Sequence, residues 1–221
     1  MILSIDTTSE FGSIALTERD SLVEEVLLHS DDGFGHILFP QIEKLLTRHG
    51  MTVSQMECFA AASGPGSFTG VRIGLAAAKG LAETCGRRVV AISNLRAIAF
   101  FGQARLRATV LDARRGEVYG AVYDDRLELA VPETVSKFQT WLETLPAGEV
   151  EFVSTDFSPF LSCVDPDIPV ITAPRALAGA IGRIAWGEFE AGKALDPAEM
   201  DANYVRRSDA ELKNESLRLI D

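Results

Sequence analysis

Cysteine and histidine are scarce in this 221-residue chain, with three of each. The cysteines follow no CxxC spacing and their number is odd: Cys58, Cys85 and Cys163. This pattern argues against a disulfide framework and a cysteine zinc site. The histidines His29, His36 and His49 form no HxxxH or HExxH pair. The sequence therefore predicts no metal site.

Positive charge is also in short supply. The chain has 21 Lys and Arg against 32 Asp and Glu, which gives a formal net charge of -11. Such a protein repels the nucleic-acid backbone and an anionic membrane surface. We expect it to bind neither of them by itself.

A targeting segment and a long apolar run are missing from the N-terminal residues. The sequence MILSIDTT has no basic segment and soon reaches an aspartate, Asp6. This predicts neither a signal peptide nor a membrane span. We expect a cytoplasmic protein.

Nucleotide-binding motifs are missing where glycine is most concentrated, in SGPGSFTGVRIGLAAAKGLA at 63–82. No glycine there has the spacing of GxxxxGK[ST] or GxGxxG, and Ser67 does not fit GxSxG. The stretch instead predicts a tight turn followed by a helix that Ser67 or Thr69 caps.

The order of predicted elements in the first half of the chain is βββαβαβα. Alternating and continuous apolar runs predict strands, and apolar residues on one face predict helices. The strands are 2–6, 12–16, 22–28, 58–62 and 88–92, and the helices are 36–49, about 68–83 and about 95–103.

Approximately the same order follows in the second half. Strands are predicted at 108–112, 117–123, 126–129, 150–154 and 168–171, and helices at about 135–145 and 175–190. A meander feeding parallel βα units predicts an α/β fold with helices on both faces of a mixed sheet. The division is expected near residue 103, with lobes 1–103 and 104–221.

Small residues recur every fourth position in the predicted glycine-rich helix, at Gly70, Gly74 and Ala78. Two glycines in a helix cost roughly 1 kcal/mol each relative to alanine, so they need a packing reason. Packing inside the chain's own lobe is the first interpretation, and a partner helix or an anion at the helix N-terminus is the second. Arg72 lies one turn into this helix and either snorkels or meets a partner's carboxylate.

Two strand ends carry aspartates in equivalent places. Asp6, Thr7, Thr8 and Ser9 follow the first strand, and Asp112 ends the first strand of the second half. Ordinary turn chemistry is one interpretation. The other is a cofactor site, in which the carboxylates hold magnesium and the hydroxyls meet a phosphate.

Four ordered motifs together resemble the TsaB (YeaZ) family: ILSIDTT, SGPGSFTGVRIGLAAAKGLA, DARRGEVYGAVY and NYVRR. The resemblance implies the actin-like ATPase fold, which is of the hexokinase/Hsp70 type and ribonuclease H-like. It also implies a non-catalytic partner subunit, which binds and activates TsaD in transferring a threonylcarbamoyl group to the tRNA adenosine next to the anticodon. TsaE is the implied further partner, tRNA is reached only through the complex, and the chain alone is expected to form a homodimer.

The family places its dimer surface on the first two helices. Here this predicts a partner-binding surface in which an exposed face of the first helix adjoins the small-residue ridge and Arg72: Leu38, Ile42, Leu45, Leu46, Gly70, Arg72, Gly74 and Ala78. The resemblance implies no tightly bound cofactor, and it leaves Asp6, Thr7, Thr8, Ser9 and Asp112 as a vestigial nucleotide site, with ATP or ADP and magnesium at a partner interface. An independent actin-like ATPase or small-molecule kinase is the alternative function.

Overall fold

Two five-stranded mixed sheets of the same design form the framework of the protein in this computed structural model, which describes residues 1–146, 148 and 150–205. The first sheet has the order β3-β2-β1-β4-β5. Its first three strands are antiparallel, and β4 and β5 run parallel to β1. The strands are β1 (Ile2–Asp6), β2 (Phe11–Glu18), β3 (Ser21–His29), β4 (Cys58–Gly64) and β5 (Arg88–Ser93).

The second sheet repeats this order as β10-β9-β6-β7-β8. Again three antiparallel strands are followed by two that run parallel to the first of them. The strands are β6 (Leu106–Asp112), β7 (Glu117–Asp124), β8 (Leu129–Lys137), β9 (Val150–Ser154) and β10 (Val170–Thr172). The duplicated pattern read from the sequence is therefore present in the fold.

Five α-helices accompany the sheets in the described residues: α1 (Leu38–Arg48), α2 (Phe68–Cys85), α3 (Asn94–Ala99), α4 (Phe138–Leu142) and α5 (Ala178–Glu190). A 3-10 helix, Ser158–Cys163, takes the place of an α-helix between β9 and β10. No helix in these residues is long and apolar enough to cross a membrane.

Alternation along β1 divides the core of the first sheet into two layers. Leu3 and Ile5 point to the side covered by α1 and α2. Ile2 points to the opposite side, where it packs with α3 and α5. Because both faces are covered, every residue of β1 and β4 is buried.

The predicted division at residue 103 lies between the two sheets, since β5 ends at Ser93 and β6 begins at Leu106, but two helices pack across it. The helix α3, which precedes that point, packs with Leu95 and Ala99 against Tyr123 of the second sheet. The helix α5, which follows it, covers the first sheet with residues such as Ile181. A cut near residue 103 therefore separates both helices from sheets on which they pack.

One predicted helix begins too early. Residues 135–145 were expected to be helical, but Val135 pairs with Tyr119 and Thr134 with Gly120, so β8 continues to Lys137. The helix α4 is confined to Phe138–Leu142. Cross-strand pairing along β7 outweighs the local apolar spacing here.

Candidate functional site

The turn after β1 is closed by its own hydrogen bonds. The Asp6 carboxylate is buried, and its Oδ1 accepts bonds from the backbone nitrogen of Thr8 at 2.9 Å and from Thr8 Oγ1 at 2.7 Å. Asn94 donates to the same Thr8 hydroxyl at 2.7 Å. Burial raises the pKa of Asp6 above its ordinary value, although the bonds from Thr8 oppose this. Ser9 lies outside the network, exposed at the turn.

The second predicted aspartate lies across a cleft from the first. Asp112 ends β6, and its Oδ1 accepts a bond from the backbone nitrogen of Arg114 at 2.8 Å. Arg114 and Arg115 both have positive φ, at 66° and 57°, which makes the turn tight. A cleft of about 840 Å³ is lined by Asp6, Thr7, Thr8, Ser9 and Asp112. The structure thus brings these five predicted residues to one cleft.

The cleft carries both acidic and basic side chains. Its other lining residues include more carboxylates than arginines: Glu10, Asp31 and Asp156 against Arg114 and Arg175. Arg175 is already engaged, since it pairs with Glu10 at 3.4 Å and stacks over Phe11 at 4.4 Å. The Oδ1 atom of Asp6 already accepts two hydrogen bonds from Thr8. The described residues contain no group of three or more metal-ligating side chains.

The prediction that α1 presents its apolar face to solvent is wrong. Four residues share the inner face of this helix and are at most 3% exposed: Leu38, Ile42, Leu45 and Leu46. They pack into the core between the helices and the first sheet. The apolar stripe of α1 is therefore the side that the protein buries, as an amphipathic surface helix requires. Its opposite side carries Phe39, which is 52% exposed.

The ridge of small residues on α2 also faces inward. A Cβ on Gly70 would overlap the carbonyl oxygen of Thr7, and a Cβ on Gly74 would lie 2.7 Å from Thr7 Oγ1. Thr7 Oγ1 donates to the carbonyl of Gly70 at 2.7 Å. Ala78 is fully buried. The ridge thus packs against the turn after β1, which was the first interpretation of its spacing, and it does not present an exposed surface.

A second row, which was not predicted from the sequence, lies on the outer side of α2. Two small residues, Ala76 and Gly80, follow Arg72 at the same four-residue spacing, displaced by two positions from the inner row, and all three are exposed. Nothing lies within 4 Å of where a Cβ on Gly80 would be. Fourfold spacing of small residues along 63–82 was the available signal, but it occurs on both sides of the helix. Only Arg72 of the predicted set points outward.

An aromatic cluster flanks this outer row at the N-terminal end of α2, where Ser67 Oγ caps the helix by accepting from Gly70. The Arg72 guanidinium stacks 3.6 Å from the centroid of the Phe68 ring. Tyr204 lies beside Phe68 at 5.9 Å between ring centroids, and its hydroxyl accepts from Arg72 Nε at 3.3 Å. Phe68 and Tyr204 are 44% and 47% exposed. Arg206 and Arg207 of the NYVRR motif lie outside the described residues.

Comparison with known proteins gives the family. Residues 31–160, more than half of the chain, match the family model described as TsaD, tRNA N6-adenosine threonylcarbamoyltransferase. The chain is 34% identical over 149 residues to the tRNA threonylcarbamoyladenosine biosynthesis protein TsaB of Bacillus subtilis, and 36% identical over 126 residues to that of Escherichia coli. The chain belongs to this family, in its TsaB (YeaZ) group. The aligned segments cover 65% and 55% of this chain and 65% and 54% of those two TsaB chains, less than two thirds of either relative.

A solved structure supports the fold of this TsaB group. YeaZ from Pseudomonas aeruginosa superposes with a TM-score of 0.79 at 24% identity, over 92% of this chain and 98% of that one. Together with the family-model match and the two matching sheets, this confirms the predicted actin-like α/β fold.

Proposed function

We propose that this TsaB-group protein is a non-catalytic partner subunit that binds and activates TsaD in transferring a threonylcarbamoyl group to tRNA. The support is family membership together with relatives named as tRNA threonylcarbamoyladenosine biosynthesis proteins. The protein acts in the cytoplasm in this proposal. TsaE joins the complex as a further subunit.

The observation that carries the proposal is the outer side of α2. Arg72, Ala76 and Gly80 form an exposed strip, here called the outer strip. Beyond its arginine the strip has little side-chain bulk, so a helix of another protein can approach the backbone closely. Phe68 adds an exposed aromatic ring at one end. Aromatic and arginine side chains are the residues that most often dominate binding energy at interfaces. This arrangement supports α2 as the centre of the partner surface.

The same surface serves a homodimer in this proposal. The isolated chain pairs through the outer side of α2, and TsaD competes with a second copy for it. The formal charge of -11 gives the chain little attraction for tRNA, so tRNA is bound through the partner. We expect no shift of tRNA by the isolated chain in a gel at physiological salt.

Any ATP or ADP bound with magnesium would sit at the interface and take most of its ligands from the partner. The acidic cleft supports this, because a triphosphate would meet Asp31, Asp112 and Asp156 there. Calorimetric titration of the isolated chain with magnesium ATP should show no heat of binding. Tight binding would instead support the alternative of an independent ATPase.

Depletion of the protein from cells tests the function. The threonylcarbamoyladenosine content of bulk tRNA should fall, and expression of the wild-type chain should restore it. A variant with Ala76→Arg, which blocks the outer strip, should fail to restore it although the protein accumulates. Unchanged modification after depletion would overturn the proposal.

A further inference from the structure

One carboxylate, that of Glu133, joins three parts of the chain. Glu133 of β8 is half-buried, and its Oε1 accepts from Tyr123 of β7 at 2.5 Å and from the Ser93 hydroxyl at the end of β5. Its Oε2 accepts from Asn203 Nδ2 at 2.6 Å. Burial raises the pKa of Tyr123, which keeps its hydroxyl a donor. Glu133 therefore holds both sheets and the segment 201–205 at one point.

Asn203 is fixed by its backbone as well as by its side chain. Its backbone nitrogen donates to the carbonyl of Ser63 at 2.8 Å. Its carbonyl oxygen lies against Gly64, where a Cβ would come within 3.2 Å. Asn203 thus lies flat on the end of β4, directly before α2 begins. The next residue, Tyr204, consequently reaches Phe68 and Arg72.

We infer that Glu133 and Asn203 form a clamp that positions Tyr204 as an anchor of the partner surface on α2. This inference rests on the proposed function for its partner, which is TsaD. Tyr204 extends the outer strip beyond Phe68, and a ring held in place by its neighbours loses little conformational entropy when a partner covers it. The hydrogen bond from Asn203 to a carboxylate is of the stronger, charge-assisted kind. Neither Glu133 nor Asn203 needs to touch the partner.

A paired substitution tests the clamp. Asn203→Asp places a second carboxylate at hydrogen-bond distance from Glu133, where the two charges repel. Hydrogen exchange of residues 201–205, measured at pH 8, should then be faster by roughly tenfold or more. Glu133→Gln combined with Asn203→Asp supplies an amide donor to the new carboxylate and should return exchange close to the wild-type rate. A purely steric role of Asn203 would not give this rescue.

Binding to TsaD tests the positioning. Tyr204→Ala and Asn203→Asp should each weaken affinity by about tenfold or more. Glu133→Gln combined with Asn203→Asp should recover most of the affinity that Asn203→Asp loses. Leu161→Ala is the matched control, because Leu161 is 56% exposed and belongs to the 3-10 helix before β10. It should bind as the wild-type chain does.

The possible results separate the clamp from the proposed function. Unchanged exchange in Asn203→Asp would overturn the clamp. Faster exchange with wild-type affinity for TsaD would overturn the positioning of a partner anchor. Failure of the wild-type chain to bind TsaD would overturn the proposed function and the docking part of this inference, and the exchange data would still decide the clamp.

Discussion

The two sides of α2 carry nearly the same pattern of small residues and meet different surroundings. On the inner side, Gly70 and Gly74 lie against the turn after β1 so closely that neither position has room for a Cβ. On the outer side, Ala76 and Gly80 follow the same spacing and are both exposed, and nothing lies within 4 Å of where a Cβ on Gly80 would be. Small residues thus allow close packing within the chain on one side and leave an exposed strip on the other, which is the side that we propose for a partner. Spacing alone does not distinguish these two uses.

The largest expected effect is on stability, where alanine substitutions on the inner and outer sides of α2 should act in opposite directions. Gly70→Ala should lower the free energy of unfolding by about 3 kcal/mol or more, because its Cβ would overlap the Thr7 carbonyl oxygen. Gly80→Ala should raise it by roughly 0.5–1 kcal/mol, since alanine favours the helix and has room. Urea denaturation of both variants measures the difference. Equal effects at the two positions would contradict the difference in packing between the inner and outer sides of α2.

A smaller effect on stability is expected at two threonine hydroxyls, each of which donates to a glycine carbonyl of α2, one on the inner side of the helix and one on the outer side. Thr7 Oγ1 donates to Gly70 in the buried interior, and Thr84 Oγ1 donates to Gly80 at the surface, both at 2.7 Å. Thr7→Val should cost about 1 kcal/mol, whereas Thr84→Val should cost less than about 0.5 kcal/mol because water replaces the exposed bond. The measurement is thermal unfolding. If Thr84→Val were the more costly change, the assignment of inner and outer sides would be wrong.

The buried turn beneath the inner side should respond to pH. Because burial raises the folded-state pKa of Asp6 above 3.8, this group favours folding most at low pH, and its contribution falls as pH rises through the folded pKa. Asp6→Asn keeps an oxygen that accepts from Thr8 and removes the titration. The stability of wild type relative to Asp6→Asn should therefore decrease as the pH rises above about 4. If the free energies of unfolding of the two proteins changed with pH in parallel, the predicted role of Asp6 would be refuted.

The smallest expected effect on stability is at the outer strip. Ala76→Arg places a long side chain in solvent, so the free energy of unfolding should change by less than about 0.5 kcal/mol. Circular dichroism during heating measures this. A large loss of stability would mean that Ala76 packs against the chain itself.

The fold was predictable because its signals are local and repeated. The strand β1 matches its predicted bounds, and α2 begins at Phe68 as expected. The meander followed by βα units appears in both halves because apolar alternation and turn residues mark each strand. The late start of α4 was missed, since pairing of Val135 with Tyr119 is a long-range contact that local spacing does not contain.

The candidate site was predictable only in part. Asp6 and Asp112 line one cleft because equivalent strand ends of two similar sheets face each other. The sequence did not show which face of each helix points into the core and which points to solvent. An apolar stripe such as the one with Leu45 is expected either in a core or at an interface, and only the packing shows that it belongs to the core. The contact of Tyr204 with Phe68 joins distant parts of the chain, so no local pattern indicates it.

Binding of TsaD to Ala76→Arg, compared with Thr140→Arg, tests the central claim most directly. Thr140 is an exposed residue of α4, far from α2 in the chain, and is the matched control. We predict that Ala76→Arg weakens affinity by roughly a hundredfold while Thr140→Arg binds as the wild-type chain does, with both variants folded. Wild-type affinity of a folded Ala76→Arg protein for TsaD would contradict the outer side of α2 as the partner surface.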